Sequence, residues 1–538
     1  LLSGNFRDGS KDKIKLLKLN KDSHLMKRLA LLSVSDKTGL LELARELSDN
    51  FNFEIISSGG TAKSLQASGL PVTYVSDYTG SPEILGGRVK TLHPRIHGGI
   101  LGRRNLPEDR KEMEEQNIRP FDLVVVNLYP FEKTIANPEI TLSEAIEQID
   151  IGGPTLLRAA AKNFAHLTVL SDPVYYNQYV EELRQNQGET SLAFRQAMAL
   201  ATFKRTQAYD LAISNYFANL TEQEIKPFWT LSGQIIQTLR YGENPHQKAA
   251  WYQVGQERTG WAAAEQLQGK ELSYNNLVDL EAARRLIVEF PSSQSAAAIL
   301  KHTNPCGVAL GSTLVEAYTK AFEADSVSAF GGIVALNQPI DSETAQALSK
   351  TFLECIVAPG CSEAAKEVLA KKSNLRVLLL ENLVSGLEYS LEMLAGGFLL
   401  QSLDNVPSLP EQWKVVTEKH PSPEQLEELV FAWKVVKHIK SNAIAVTKNL
   451  TTLGIGAGQM NRVGSVEIAL EQAKKLSSEA FLASDGFFPF DDSVRLAAQF
   501  GISAIIQPGG SIRDDDSIKA ANELGLVMLF TGMRHFLH

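Results

Sequence analysis

Cysteine is scarce: Cys306, Cys355 and Cys361 are the only three in 538 residues. Their number and spacing exclude a disulfide framework and a four-cysteine zinc site, and suit a reducing cytoplasm. Long apolar runs are missing too. None approaches the roughly 18 residues needed to span a bilayer, so the sequence reads as a soluble chain with no membrane partner. Residues 1–25 begin with Leu and mix lysines with aspartates, without an apolar signal core or an Arg-rich, acid-poor transit pattern. They read as an extension with no assigned role, Met26 being the natural start. Excess positive charge is absent as well: the formal net charge is −9, which argues against non-specific nucleic-acid binding yet leaves room for a local basic pocket. What is present is ordinary globular material. Hydrophobic residues at 44% and charged ones at 21% exclude wholesale disorder, and the length exceeds one ordinary core, so at least two domains are expected. Small molecules are the partners that such a chain suits.

The first half alternates strand, loop and helix, the pattern of a parallel sheet whose loops gather at one ligand-binding edge. Leu29–Leu32 reads as a buried strand, Ser33–Gly39 (with Ser35, Asp36 and Lys37) as its loop, and Leu40–Leu47 as an amphipathic helix. After the strand at Glu54–Ile56 comes Ser58-Gly59-Gly60-Thr61, opening a helix from Ala62. Unhindered amides, two hydroxyls and a helix N-terminus suit a phosphate; a Gly-Gly turn with an N-cap reads equally well, and Lys37 tips the balance toward an anion. Gly86-Gly87-Arg88-Val89-Lys90-Thr91-Leu92-His93-Pro94 is the densest signal. Arg88 and Lys90, two apart, would face one side of an extended segment as a cationic pair with Thr91 nearby, or serve as charged gatekeepers of an edge strand. His93 reads also as a capped loop residue.

A strand over Phe121–Asn127, Val126 included, ends in Asn127-Leu128-Tyr129-Pro130-Phe131. A helix around Leu142–Gln148 leads to Asp150-Ile151-Gly152-Gly153-Pro154 and a further helix over Thr155–Lys162. Pro154 suits the first turn, and Thr155, Arg158 and Lys162 recur at helical spacing, aiming a hydroxyl and two cations toward the edge that holds Asp150. A carboxylate beside a lysine can move a proton between amide nitrogen and oxygen, and a phenol such as Tyr129 can donate to a developing oxyanion. The helices from Val174 and Ser191 read as packing. Thr221–Trp229 is charged and irregular, a suitable junction.

The second half centres on Lys301-His302-Thr303-Asn304-Pro305-Cys306-Gly307, which follows the buried strand Ala296–Leu300. Pro and Gly end a strand and open a turn, so both titratable side chains can enter one pocket. Neutral imidazole is a natural base near pH 7, and a neighbouring ammonium favours the neutral form. A turn-capping histidine beside a solvated lysine is the alternative. A zinc deaminase would need Pro-Cys-x-x-Cys, and Pro305-Cys306 has no cysteine three residues on.

In order along the chain, the Ser33–Gly39 loop, Arg88–Pro94, Asn127–Phe131 and Asp150–Asn163 together resemble the inosine monophosphate (IMP) cyclohydrolase domain of the bifunctional purine biosynthesis family. That family pairs the cyclohydrolase with a transformylase acting on aminoimidazole carboxamide ribonucleotide (AICAR). The resemblance runs from about residue 27 to the C-terminus. It implies an α/β chain: extension 1–25, a methylglyoxal-synthase-like cyclohydrolase domain with a parallel sheet over 26–220, and a transformylase domain of two cytidine-deaminase-like modules over 221–538. It places Ser35, Asp36, Lys37, Ser58, Gly59, Gly60, Thr61, Arg88, Val89, Lys90, Thr91, Val126, Asn127, Asp150, Ile151 and Gly152 around the nucleotide. Lys162 would transfer protons, supported by Lys90, Tyr129 and Asp150. In the transformylase His302 would be the general base, Lys301 its cationic neighbour and Asn442 an oxyanion donor; a helix-to-strand cap is the local alternative for Asn442. Arg240, Tyr241, Gly331, Glu354, Arg462, Phe487, Asp492, Gly509, Gly510 and Arg534 would complete the pocket. Glu354 stands where some members carry aspartate, and Leu537 departs slightly from the family's basic-aromatic ending. The implied cosubstrate is 10-formyltetrahydrofolate, with no catalytic metal, and the implied assembly a homodimer with transformylase sites at the interface. Two other readings are a nucleotide-sensing module, against which Asp150, Lys162 and Tyr129 argue, and the zinc deaminase.

Overall fold

The computed structural model describes residues 27–129, 131–137, 139–220, 229–255, 258–386 and 388–538, except for the side chains of Lys133 and Lys475. The expected extension, the Met26 start, Pro130 and most of the expected junction lie outside these residues. The chain divides into two compact units, Leu1–Trp229 and Thr230–His538.

The first unit is a five-stranded parallel sheet of β1 (Arg28–Val34), β2 (Phe53–Ser57), β3 (Val72–Tyr74), β4 (Leu123–Asn127) and β5 (Thr168–Leu170). Its apolar runs alternate between two cores. Leu29 and Leu31 of β1 and Val124 and Val126 of β4 enter one, while Ala30, Leu32, Val34, Leu123 and Val125 enter the other. Successive residues of a strand face opposite sides, so a run that is apolar throughout requires cover on both faces. Helices α1 (Leu40–Arg45), α2 (Gly59–Ala67), α3 (Pro94–Leu101), α4 (Gly152–Lys162) and α5 (Leu192–Asn219) include that cover. The strand order β3-β2-β1-β4-β5 reverses direction between β1 and β4. Ligands of open parallel sheets bind at such a reversal, beyond the carboxyl ends of the strands.

The second unit opens with an antiparallel pair, β6 (Gly233–Leu239) and β7 (Ala249–Val254), and contains two mixed six-stranded sheets. One comprises β8 (Glu265–Gln268), β9 (Ser295–Lys301), β10 (Asn304–Gly311), β11 (Ile333–Leu336), β12 (Cys355–Ala358) and β13 (Arg376–Leu379), with α6 (Tyr274–Ile287), α7 (Leu314–Ala324), α8 (Ser342–Leu348) and α9 (Glu363–Leu369) between them. A hairpin of β14 (Tyr389–Leu394) and β15 (Gly397–Ser402) precedes the other. That sheet comprises β16 (Lys414–Val415), β17 (Ile444–Thr447), β18 (Thr452–Gly456), β19 (Phe481–Ser484), β20 (Ala504–Gln507) and β21 (Val527–Phe530), with α10 (Pro423–Val436), α11 (Arg462–Ala473), α12 (Asp492–Gln499) and α13 (Asp514–Glu523). The orders β10-β9-β11-β12-β13-β8 and β18-β17-β19-β20-β21-β16 match strand for strand, as do the parallel and antiparallel pairings. Close helix packing repeats too: a Cβ on Gly307 would strike the Ala321 carbonyl of α7, and one on Gly456 the Ser465 carbonyl of α11. The sheets meet where Leu310 N–H donates to the Leu450 carbonyl at 2.9 Å and Val308 N–H to Thr452 Oγ1 at 2.9 Å. One apolar cluster runs through both modules.

Candidate active sites

In the first unit Asn127, the last residue of β4, bridges the sheet's reversal. Its Oδ1 accepts the N–H groups of Ser35 and Asp36 at 2.6 and 2.9 Å, and its Nδ2 donates to the Asp36 carbonyl at 2.8 Å. The side chain therefore shapes the Ser35–Lys37 loop. Helix α2 begins at Gly59, three residues before the expected start, so Gly59 and Gly60 lie in its first turn. Ser58 precedes it without a capping side-chain bond, and Thr61 is committed to β1: its hydroxyl donates to the Val34 carbonyl and accepts the Val34 N–H, both at 3.0 Å. Of the two hydroxyls expected to meet a phosphate, only that of Ser58 is left for the task. The Lys90 ammonium approaches this helix start, lying 3.3 Å from where a Cβ on Gly59 would sit. A helix N-terminus with a cation beside it makes an anion cradle.

The extended cationic pair expected at Arg88 and Lys90 is not formed. Leu85–Gly87 makes a helical turn with Gly86 and Gly87 at φ 65° and 91°, and Ile84 bridges Val89 across it. A tight turn sends alternate residues to different partners: Arg88 pairs with Glu147 at 2.7 Å, and Lys90 lies 3.5 Å from Glu83. His93 takes its structural alternative, capping α3 by accepting the Arg95 N–H at 3.1 Å. Val126 is buried, so only its backbone faces the edge.

Asp150 stands at the N-terminus of α4, where Oδ1 accepts the Gly153 N–H at 2.9 Å. Burial pushes its carboxyl above the ordinary range, against the lowering effect of the Gly153 and Gly152 amides. Thr91 is its neighbour, for a Cβ on Gly152 would lie 3.2 Å from Thr91 Oγ1 and 4.0 Å from Asp150 Oδ1. Tyr129 and Ile151 are exposed nearby in sequence, beyond β4 and before α4. The expected convergence of Thr155, Arg158 and Lys162 on Asp150 fails. Thr155 donates back to the Ile151 carbonyl at 2.7 Å, Arg158 lies over the Phe203 ring at 5.7 Å, and Lys162 is the last residue of α4. At about 1.5 Å rise per residue, that puts Lys162 and Asp150 near opposite ends of a helix about 16 Å long. Sequence reading missed Tyr209 of α5. Its hydroxyl accepts the Asp150 N–H at 2.7 Å and faces the Gln148 carbonyl at 3.3 Å, bracing the loop from the buried side.

In the second unit the turn falls earlier than Pro305 and Gly307 suggest. Strand β9 runs through Lys301, His302 and Thr303 alone form the turn, and Asn304 already belongs to β10; Pro305 is tolerated where a bulge interrupts the pairing. His302 is exposed at this tip. Lys301 reaches back to donate to the Phe330 carbonyl at 2.9 Å, while Gly331, at φ 74°, donates to the Phe352 carbonyl at 2.8 Å. Glu354 accepts the Asn276 side-chain amide at 2.9 Å, and its own N–H bonds the Gly332 carbonyl. Asn275 lies 3.5 Å from the Glu243 carbonyl, next to the Arg240–Tyr241 pair, whose guanidinium covers the phenol ring at 5.4 Å. These contacts link Asn276, Lys301, Gly331 and Glu354 in one run of bonds beside the turn. Burial pushes the Cys306 thiol up to about 12, which removes it as a nucleophile near neutral pH.

The other module meets the same turn from beyond. Asn304 Oδ1 accepts the Lys440 N–H at 3.0 Å, two residues before Asn442. Asn442 Nδ2 donates to the Gln459 carbonyl at 2.8 Å, so one of its two amide hydrogens is committed. Arg462 is buried and ion-paired with Asp485, bonded also to Ser484 Oγ at 3.1 Å and the Ala443 carbonyl at 3.3 Å. Through the Ala443 carbonyl it braces the chain next to Asn442. The C-terminal tail is laced to the same place: Leu537 N–H donates to Ser441 Oγ at 3.1 Å and His535 N–H to the Asp485 carbonyl at 3.0 Å. Arg534 is exposed over Phe536, and Phe487 is 40% exposed whereas Phe488 fills the core, so the aromatic cluster divides between packing and a free face. Asp492 opens α12. Gly509 and Gly510 turn at φ 71° and 98°, and a Cβ on Gly509 would strike the Phe530 ring. Among the described residues no group of three or more His, Cys, Asp or Glu is placed to hold a metal ion.

Comparison with known proteins matches two family descriptions. Residues 39–155 match an MGS-like domain, and residues 160–472 match the AICARFT/IMPCHase bienzyme. The bifunctional purine biosynthesis protein PurH of Gloeothece citriformis is 69% identical, and those of Rippkaea orientalis and Microcystis aeruginosa are 68% identical. Each of these alignments covers 95% of this chain and 100% of the relative. With a family model over more than half its length and relatives this close over all of theirs, the chain belongs to the AICARFT/IMPCHase bienzyme family, the bifunctional AICAR transformylases and IMP cyclohydrolases of purine biosynthesis.

Proposed function

We propose that the two units divide consecutive reactions between them. The second, over 221–538, moves a formyl group from 10-formyltetrahydrofolate to the amine of AICAR, giving formyl-AICAR (FAICAR) and tetrahydrofolate. The first, over 26–220, closes FAICAR to IMP with loss of water. The observation that carries this reading is the gathering of motif residues, distant in sequence, at one edge in each unit: Ser35, Asp36 and Asn127 in the first, and Lys301, Gly331 and Glu354 in the second.

In formyl transfer the AICAR amine is conjugated with the carboxamide and weakly nucleophilic. His302 takes its proton as nitrogen attacks the formyl carbon, a role typically worth about 100- to 10,000-fold. The remaining amide hydrogen of Asn442 serves the tetrahedral oxyanion, Lys301 anchors the Phe330–Gly331 loop beside it, and folate nitrogen leaves with a proton. Arg240, Arg534 and the Gly509–Gly510 turn suit anionic groups of nucleotide and folate, and Phe487 offers a flat ring a stacking face. In ring closure the carboxamide nitrogen attacks a formamide in the same molecule, so positioning supplies much of the rate. Lys90 and the α2 amides hold the phosphate, Asp150 and Tyr129 face the reacting groups, and Lys162 supplies the proton that leaves with water. Draining FAICAR by cyclisation pulls the transfer forward. The assembly proposed is a cytoplasmic homodimer with transformylase sites at the subunit interface, each half of the second unit being a cytidine-deaminase-like module.

Incubation with AICAR and 10-formyltetrahydrofolate, following tetrahydrofolate by absorbance and nucleotides by mass spectrometry, tests the division. Tetrahydrofolate and IMP appearing together support it. FAICAR accumulating without IMP places the error in the first unit, and no turnover by folded protein overturns the assignment.

A further inference from the structure

The repeated plan of the second unit gives both modules the same strained turn. His302 and Thr303 between β9 and β10 lie at φ 54° and 64°, and Asn449 and Leu450 between β17 and β18 at φ 56° and 53°. Left-handed backbone costs an L residue about 1–2 kcal/mol; asparagine tolerates it, and a β-branched residue such as Thr303 does not. In each module a carboxylate from the preceding helix meets the turn. Asp279 Oδ1 accepts the Thr303 N–H at 2.7 Å, and Glu428 Oε2 accepts the Leu450 N–H at 2.7 Å. Both are the sixth residue of their helices, α6 from Tyr274 and α10 from Pro423, and both helices open on a capping box, Ser273 with Asn276 and Ser422 with Gln425. Cap, amide and carboxylate thus recur at the same spacing of three residues in both helices, and in each the carboxylate is the group that reaches the turn. Burial pushes both carboxyls above their ordinary range. The device is shared, but only in the first module does the turn bear an imidazole.

We infer that Asp279 is a positioning residue for formyl transfer: by holding the Thr303 N–H it fixes the left-handed turn and with it the direction in which His302 leaves the sheet. The inference rests on the reading of His302 as the base. Glu428 makes the same bond beneath a turn without a base, and so isolates the purely structural share of the interaction.

The test compares Asp279→Ala, Asp279→Asn, Glu428→Ala and His302→Ala in the full-length chain, measuring kcat and KM for AICAR, with thermal melting and near-ultraviolet circular dichroism as checks of folding. Asp279→Ala is expected to lower transfer kcat about 10- to 100-fold with the KM for AICAR within about two-fold, the signature of a displaced catalytic group. Asp279→Asn keeps an oxygen for the Thr303 N–H and retains most of the rate. Glu428→Ala lowers melting but leaves kcat within about two-fold. Adding Thr303→Gly to Asp279→Ala recovers part of the rate, because glycine takes this backbone without penalty. Should Asp279→Ala fail to fold, Asp279→Glu, which displaces the acceptor by one methylene, takes its place with the same expectation. Parental kcat in Asp279→Ala, an equal loss in Glu428→Ala, or no recovery with Thr303→Gly overturns the inference. If His302→Ala still transfers formyl groups, the reading of the base fails; if it is inactive while Asp279→Ala is not, the positioning role alone fails.

Discussion

The two units hold charged side chains at an ordered edge by opposite strand geometries. In the first, five parallel strands send their loops to one edge, and at the reversal between β1 and β4 Asn127 binds the Ser35–Asp36 loop. In the second, β9 and β10 are antiparallel, and His302, the base proposed above, stands on a two-residue turn with both residues left-handed. A parallel sheet supplies its site through topology, and its weak points are the braces of its loops. A hairpin must hold its site through individual bonds, and its weak point is the turn.

The strongest way to break this comparison is to separate the reactions. His302→Ala is expected to stop formyl transfer, by about 100-fold or more, while supplied FAICAR still cyclises at close to the parental rate. Lys162→Ala is expected to do the reverse. Loss of both reactions in either folded variant would refute the division of labour. Cyclisation at full rate in Lys162→Ala would leave Lys90 as the ammonium that serves the first site, consistent with its place at the start of α2.

A smaller effect tests the loop braces. Tyr209→Phe keeps the ring that packs edge-on against Phe131 at 6.2 Å and deletes the hydroxyl that accepts the Asp150 N–H. Cyclisation should fall about 10-fold, since a loop amide left without its partner costs about 1–3 kcal/mol and shifts Asp150. Formyl transfer, measured on the same preparation, should stay unchanged. Equal loss of both rates would mean that Tyr209 supports folding alone.

Much of this arrangement was legible in the sequence because it depends on local pattern. Apolar runs such as Leu29–Leu32, each followed by a polar glycine-bearing loop, announce parallel strands with both faces covered, and four motifs in order announce the family. What stayed hidden depends on partners distant in sequence. Arg88 and Lys90 look like a pair until the Gly86–Gly87 turn sends them to Glu147 and Glu83. Pro305 and Gly307 look like the end of a strand, but the hairpin turns earlier, at His302 and the β-branched Thr303, where Asp279 of α6 accepts the Thr303 N–H. The internal repeat is nearly invisible in residue identity. It survives as the same serine cap followed by an amide and a carboxylate at matching helix positions, the last two being chemical equivalents with different side chains.

The smallest effect concerns what Asp150 contributes to folding. Its carboxyl is raised from 3.8 chiefly by burial, so the folded state binds its proton more tightly than the unfolded state does. The stabilising share of this group is therefore fully present below about 3.8 and is lost as pH rises through the raised value, leaving a partly buried charge to be borne at neutral pH. Asp150→Asn keeps an oxygen for the Gly153 N–H and removes that charge. Melting followed from pH 4 to 8 should show the variant more stable at neutral pH, by about 2–4 °C for each kcal/mol relieved, with the gap closing toward the acid end. Cyclisation should fall in the same variant while formyl transfer holds, the exchange of stability for activity expected where a charge is buried for chemistry. A variant less stable than the parent at pH 8 would mean that the amides at the start of α4 repay the burial of Asp150, and that the site carries no such cost.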